Sequence, residues 1–203
     1  MVVTPACRRD TDVVILSHLH FDHAGGLLSE WKAGEEAKLI FNNAHYVVSK
    51  AGWERACKPH VRDRASFIPS LNKLLDESNK LIFVEKDKCD LLGKNFRFTL
   101  TNGHTPGLMH AIYQLPNDEG TIIFISDLIP GVNWVHLPVS MGYDRSAEQL
   151  IDEKREMLEF AIQQNSYLFY THDPKIAMSR ISQQEDGKFL AIDKHEDFQN
   201  ISF

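Results

Sequence analysis

Cysteine is scarce in this 203-residue chain: Cys7, Cys57 and Cys89 are odd in number, widely spaced and never arranged as CxxC. That excludes a disulfide scaffold and a cysteine-based zinc module, and points to reduced thiols in a cytoplasmic protein. Basic residues are not in excess either. With 22 Lys and Arg against 28 Asp and Glu the formal net charge is −6, so the footprint of a nucleic-acid-binding protein is missing. No apolar run approaches the roughly 20 residues that span a bilayer, which argues against a membrane protein. The opening MVVTPACRRD lacks the apolar core of a signal peptide. Low-complexity segments, linkers and fixed-period repeats are absent as well. What remains is 43% hydrophobic and 25% charged, an ordinary composition for a single domain over residues 1–203 with a sizeable core.

Histidine, by contrast, is plentiful. The stretch SHLHFDHAGG at 17–26 packs His18, His20, Asp22 and His23 together directly after the apolar run VVIL. Imidazoles and a carboxylate suit zinc, with iron, manganese or cobalt as alternatives. If the segment continues the preceding strand, His18 and His20 share a face, because strand side chains alternate with period two. Asp22 and His23 then come from the following turn and can face a second point. This is a pattern for two metals.

Four apolar runs read as strands: DVVILS (12–17), FRFTLT (96–101), TIIFIS (121–126) and YLFYT (167–171). Each is followed at once, or nearly so, by a potential ligand: His18, His104, Asp127 and His172. In sheets covered by helices, functional groups gather at the carboxyl ends of strands. The segment 144–165 places Ala147, Leu150, Ile151, Met157, Leu158, Ala161 and Ile162 at helical spacing, with Ser146 and Gln149 as a capping box at its start. A second amphipathic helix is expected around 66–79, carrying Phe67, Leu71, Leu74 and Leu75. Near the end, AMSRIS and KFLAI flank an Asp-Gly pair that reads as a hairpin turn. Alternating strands and helices with hairpins indicate an α/β domain with mixed sheets.

Counting donors, His18, His20 and His104 suffice for one ion, Asp22, His23 and His172 for the other, and Asp127 can bridge them. Each ion keeps an open position for water, as catalytic sites do. Such a water ionises near neutral pH and becomes a nucleophile, while the ions polarise the bond under attack. Asp22 can in addition pass a proton to the leaving group.

This signature, His18-x-His20-x-Asp22-His23 followed by His104, Asp127 and His172, resembles that of the metallo-β-lactamase superfamily. HLHFDHAGG and GHTPG are similar to its lactonase and glyoxalase II-like hydrolase branches, over residues 12–193. The resemblance implies an αβ/βα sandwich of two mixed sheets flanked by helices, with a dinuclear site, usually of zinc. It also implies a hydrolase that attacks an ester, lactone or related small substrate with a metal-bound hydroxide. A phosphodiesterase or thioesterase of the same fold, or a non-catalytic fragment that keeps the ligands, is the alternative. Asp127 stands where zinc β-lactamases of the family commonly have a cysteine, which argues against antibiotic hydrolysis. Pro130 stands where its lactonases often carry a tyrosine; Tyr143 is a candidate substitute. Family members normally have several strands before the metal motif, whereas 17 residues precede His18 here. The first sheet is therefore expected to be incomplete, and a homo-oligomer that covers its edge, or a longer natural product, is expected.

The loop after Asp127 is expected to overhang the site, which makes Trp134, His136 and Tyr143 candidates for substrate contact. The other histidines read as structural or solvated: His45 on a strand, His60 and His195 among charges, and His110 on a sheet surface.

Overall fold

A computed structural model describes residues 10–116 and 119–197; Cys7 lies outside them. The chain divides into two compact units, Met1–Glu85 and Lys86–Phe203.

The first unit holds a parallel three-stranded sheet in the order β1 (Val13–Ile15), β2 (His45–Ser49), β3 (Leu81–Val84). Parallel neighbours need crossovers, and here helices supply them. Between β1 and β2 lies the single turn α1 (Phe21–Ala24); between β2 and β3 lie α2 (Lys50–Cys57) and α3 (Pro69–Glu77). Ser49 caps α2, its hydroxyl accepting from the Gly52 N–H at 3.0 Å. Leu19, Tyr46, Val48, Ala56, Phe67, Leu71 and Leu75 form the core of this unit. The helix expected at 66–79 starts at Pro69, whose fixed φ suits a first helical position, and Phe67 precedes it in extended backbone.

The second unit is a six-stranded sheet in sequence order: β4 (Phe96–Thr101), β5 (Leu108–Gln114), β6 (Thr121–Phe124), β7 (Tyr167–Phe169), β8 (Met178–Gln183) and β9 (Phe189–His195). All pairs are antiparallel except β6–β7, which is parallel and crossed by α4 (Ala147–Gln163). Leu150, Met157, Leu158 and Ala161 of α4 join Leu108, Ile123, Ile125 and Leu168 in one core. Truncating a fully buried leucine such as Leu158 to alanine costs about 2–5 kcal/mol in such a setting. The Asp186–Gly187 turn closes the β8–β9 hairpin with Gly187 at φ 83, a conformation glycine adopts without strain.

The structure differs from the sequence expectations along α4. Ser146 is the N-cap, yet its side chain makes no capping bond. Its backbone N–H goes to the Gly103 carbonyl at 2.8 Å, and the Gln149 side chain reaches forward to Glu153 at 3.0 Å, so the half of a capping box that joins the Gln149 side chain to the Ser146 N–H is replaced by other bonds. Ala147 and Ile162 are exposed, whereas Lys154, polar in any hydropathy pattern, is fully buried. Among the described residues no helix is long and apolar enough to cross a membrane.

Candidate metal centre

In the first unit β1 ends at Ile15, so the histidine motif begins beyond the strand. The alternation nevertheless persists in the extended backbone: Leu19 turns into the core, and His18 Nε2 and His20 Nδ1 meet at 3.1 Å. His20 is the N-cap of α1, its carbonyl accepting from the His23 and Ala24 N–H groups. That single turn brings Asp22 and His23 round, with Asp22 Oδ2 3.4 Å from His23 Nε2 and the His23 ring centroid 4.1 Å from that of His18. Ser17 Oγ lies 3.1 Å from His18 Nδ1, and Phe67 packs edge-on against His20 at 5.0 Å. Three imidazoles gathered beside one carboxylate repel one another when protonated. As neutral donors around a cation they do not, which is the state metal binding demands.

In the second unit the topology fixes the other donors. Parallel β6 and β7 end side by side, Phe124 opposite Phe169, and the β4–β5 turn lies at the same end because β5 starts there antiparallel to β6. Asp127 follows β6, His172 follows β7 and His104 sits in the β4–β5 turn. The Asp127 carboxylate stands between the two imidazoles: Oδ2 is 3.3 Å from His104 Nε2 and Oδ1 is 3.2 Å from His172 Nε2. Asp127 is 3% exposed, and a carboxylate so buried is costly without charged or polar partners. Ser126, just before it, is buried with φ 47, a left-handed conformation that a serine holds only when its surroundings impose it.

Several residues that support these donors carried no sequence signal. Asp144 Oδ1 accepts from His104 Nδ1 at 2.9 Å, and its Oδ2 accepts from the Met141 N–H at 2.6 Å. Glu153 on α4 accepts the Asn102 and Gly103 N–H groups, each at 2.8 Å, clamping the turn that carries His104. Gly103 is required there, because a Cβ would stand 2.4 Å from the backbone of Leu150. Asp173 accepts from Val132, Lys175 and Ile176 N–H groups, and the His172 N–H donates to Pro130, so the loops after β6 and β7 are stitched together. Burial tends to raise the Asp173 pKa, but those three donors and Lys194 hold it below the ordinary value.

Of the substrate candidates, Tyr143 is 61% exposed with its ring edge-on to His104 at 5.9 Å, and its hydroxyl donates to Met141 Sδ. His136 is exposed, and Trp134 packs partly buried against the core. His45 opens β2 exposed, His60 is exposed, and His195 lies beside Asp193. His110 departs from expectation. It is fully buried on β5 with Nε2 2.9 Å from Thr101 Oγ1, and burial pushes its pKa down to about 4. Cys57 and Cys89 are unpaired thiols.

Comparison with known proteins places this geometry in a family. The model of the metallo-beta-lactamase superfamily matches residues 8–172. An N-acyl homoserine lactonase from a Bacillus species is 22% identical over 161 residues, covering 79% of this chain and 55% of that protein. A structure described as a probable metal-dependent hydrolase from Staphylococcus aureus superposes with a TM-score of 0.76 at 25% identity, covering 92% of this chain and 64% of that one. The dizinc quorum-quenching lactonase AidC, at 24% identity and a TM-score of 0.70 over 95% of this chain, shares the fold. The chain thus spans between about half and two thirds of the length of these relatives. With the family model matched over most of its length, the chain belongs to the metallo-beta-lactamase superfamily.

Proposed function

We propose that this protein is a dinuclear metal-dependent hydrolase acting on an ester, lactone or related small substrate. The observation that carries the reading is the Asp127 carboxylate, whose two oxygens face the Nε2 atoms of His104 and His172 separately. A carboxylate that offers one oxygen to each side is suited to bridging. In this reading His18, His20 and His104 hold one ion, Asp22, His23 and His172 the second, and Asp127 joins them. The all-nitrogen-and-oxygen donor set fits zinc, with iron, manganese or cobalt as alternatives. When bound, such ions supply Lewis-acid polarisation of the acyl oxygen and a water acidified towards neutral pH.

The chain's own residues do the rest. Asp144 holds the proton of His104 on Nδ1 and so leaves the Nε2 lone pair for an ion. The oxygen of water adds to the acyl carbon, the carbon–oxygen bond to the leaving group breaks, and the departing oxygen takes up a proton. Asp22, an exposed carboxylate in the first turn of α1, is assigned the transfer of that proton. Tyr143, His136 and Trp134 are assigned to the acyl or leaving group. The lactonases among the relatives support a small lactone as the first substrate to try. We also assign the protein a homo-oligomeric state, which light scattering behind a sizing column measures. Assay of the zinc-loaded protein against ester, lactone, thioester and phosphodiester probes tests the activity. Turnover of an ester or lactone that is lost in Asp127→Ala supports it, and inactivity on all four classes contradicts it.

A further inference from the structure

Lys154 is the one charged residue among the buried positions of α4, and it is 0% exposed. Its ammonium donates to the carbonyls of Trp134, His136 and Val139 at 3.0, 3.1 and 2.6 Å. An ammonium has three N–H groups and no acceptor, so these carbonyls use its whole bonding capacity. They belong to one irregular segment, a single 3-10 turn over Val132–Val135 and the loop after it. Few other bonds restrain that segment: Val132 N–H to Asp173 Oδ2, Trp134 N–H to the Gly131 carbonyl, and Val139 N–H to the His136 carbonyl. The charge is expensive where it sits. Burial lowers the Lys154 pKa to about 8, with Asp144 acting in the opposite sense. A methionine would fill a comparable volume without that penalty, so the ammonium answers the three inward carbonyls.

We propose that Lys154 is a positioning residue for substrate binding, fixing the backbone of residues 134–139 so that Trp134 and His136 meet a small acyl substrate in one arrangement. This rests on the hydrolase reading above and on the assignment of that segment to substrate contact. Lys154 itself touches no substrate. Because it acts on the order of a binding loop and not on the reacting atoms, its loss weakens ground-state and transition-state binding together. That raises KM and leaves kcat nearly unchanged.

The test uses zinc-loaded protein, with para-nitrophenyl butyrate and γ-butyrolactone as probes, and compares wild type with Lys154→Met and Lys154→Arg. The expected result for Lys154→Met is a KM about tenfold higher with kcat within about twofold. Zinc content should be unchanged and amide hydrogen exchange faster over residues 132–140 only. Lys154→Arg, which keeps a charged multiple donor, should lie close to wild type. Unchanged KM overturns the proposal, whether or not exchange accelerates, and so does acceleration spread along the whole of α4. If wild type hydrolyses neither probe, nor the thioester and phosphodiester probes above, the hydrolase reading fails on its own. Exchange then still bears on the ordering of the segment: local acceleration supports the fixing of residues 134–139 by Lys154, and no acceleration overturns the proposal. Should Lys154→Met not fold, Lys154→Gln, which retains a donor, is measured in the same way.

Discussion

His104 Nδ1 donates to Asp144 Oδ1 at 2.9 Å, and both side chains are wholly shut off from solvent. The carboxylate thereby fixes the tautomer of His104, aims Nε2 toward Asp127 and makes the imidazole a stronger donor. Asp144→Asn keeps the volume but loses the charge, and its amide can present N–H where the carboxylate accepts. Zinc affinity should fall by about 10- to 100-fold, as it does when such partners of metal-bound histidines are removed. Competition with a chromophoric chelator measures it, and an affinity equal to wild type contradicts the role.

Asp127 is predicted to be the bridge. Asp127→Ala should lower the metal content towards one ion per chain and abolish hydrolysis, while far-ultraviolet circular dichroism stays native. Unchanged metal content together with unchanged turnover would show that the bridging role is wrong.

Gly103→Ala tests the clamp on the His104 turn. The new Cβ meets Leu150 Cα and N at 2.4 Å, and backbone on both sides leaves nothing flexible to yield. Forced displacement in a packed region costs about 1–3 kcal/mol, to be read from the midpoint of urea unfolding of the apo protein. Gly142→Ala, where a Cβ meets nothing within 4 Å, serves as the control. Equal midpoints for the two variants would sink the argument.

His110 predicts an acid sensitivity. Burial holds its folded pKa at about 4, below the ordinary 6.5. Between those values the unfolded chain binds the proton and the folded chain does not, so stability falls as pH drops through that window. Urea unfolding of apo wild type and His110→Asn at several pH values measures this. The variant should lose less stability from pH 6.5 to pH 4 than wild type, and parallel losses would contradict the assignment.

The candidate donors were legible in the sequence because their chemistry is local: a potential ligand follows each of four apolar runs, and hydropathy alternates in β4, whereas β6 reads as a short apolar run. The supporting residues were not, for reasons of distance. Asp144 is 40 residues from His104 and Glu153 50 residues from Gly103, and neither spacing has a periodicity to betray it. Lys154 carried no signal for a different reason. A hydropathy pattern places lysine outside, and only the three carbonyls converging on its ammonium reverse that preference. One half of the capping box was lost to competition, since the Ser146 N–H donates to the Gly103 carbonyl. His110 sits on a strand, LMHAIYQ, whose first three residues are all buried, so period-two reasoning could not tell surface from core.

Elemental analysis of protein purified without chelator, repeated after reconstitution with zinc, bears on everything proposed for the site. Two divalent ions per chain are predicted, falling when His18, Asp127 or His172 is replaced by alanine. Protein that arrives without metal and takes none up would contradict the dinuclear reading outright.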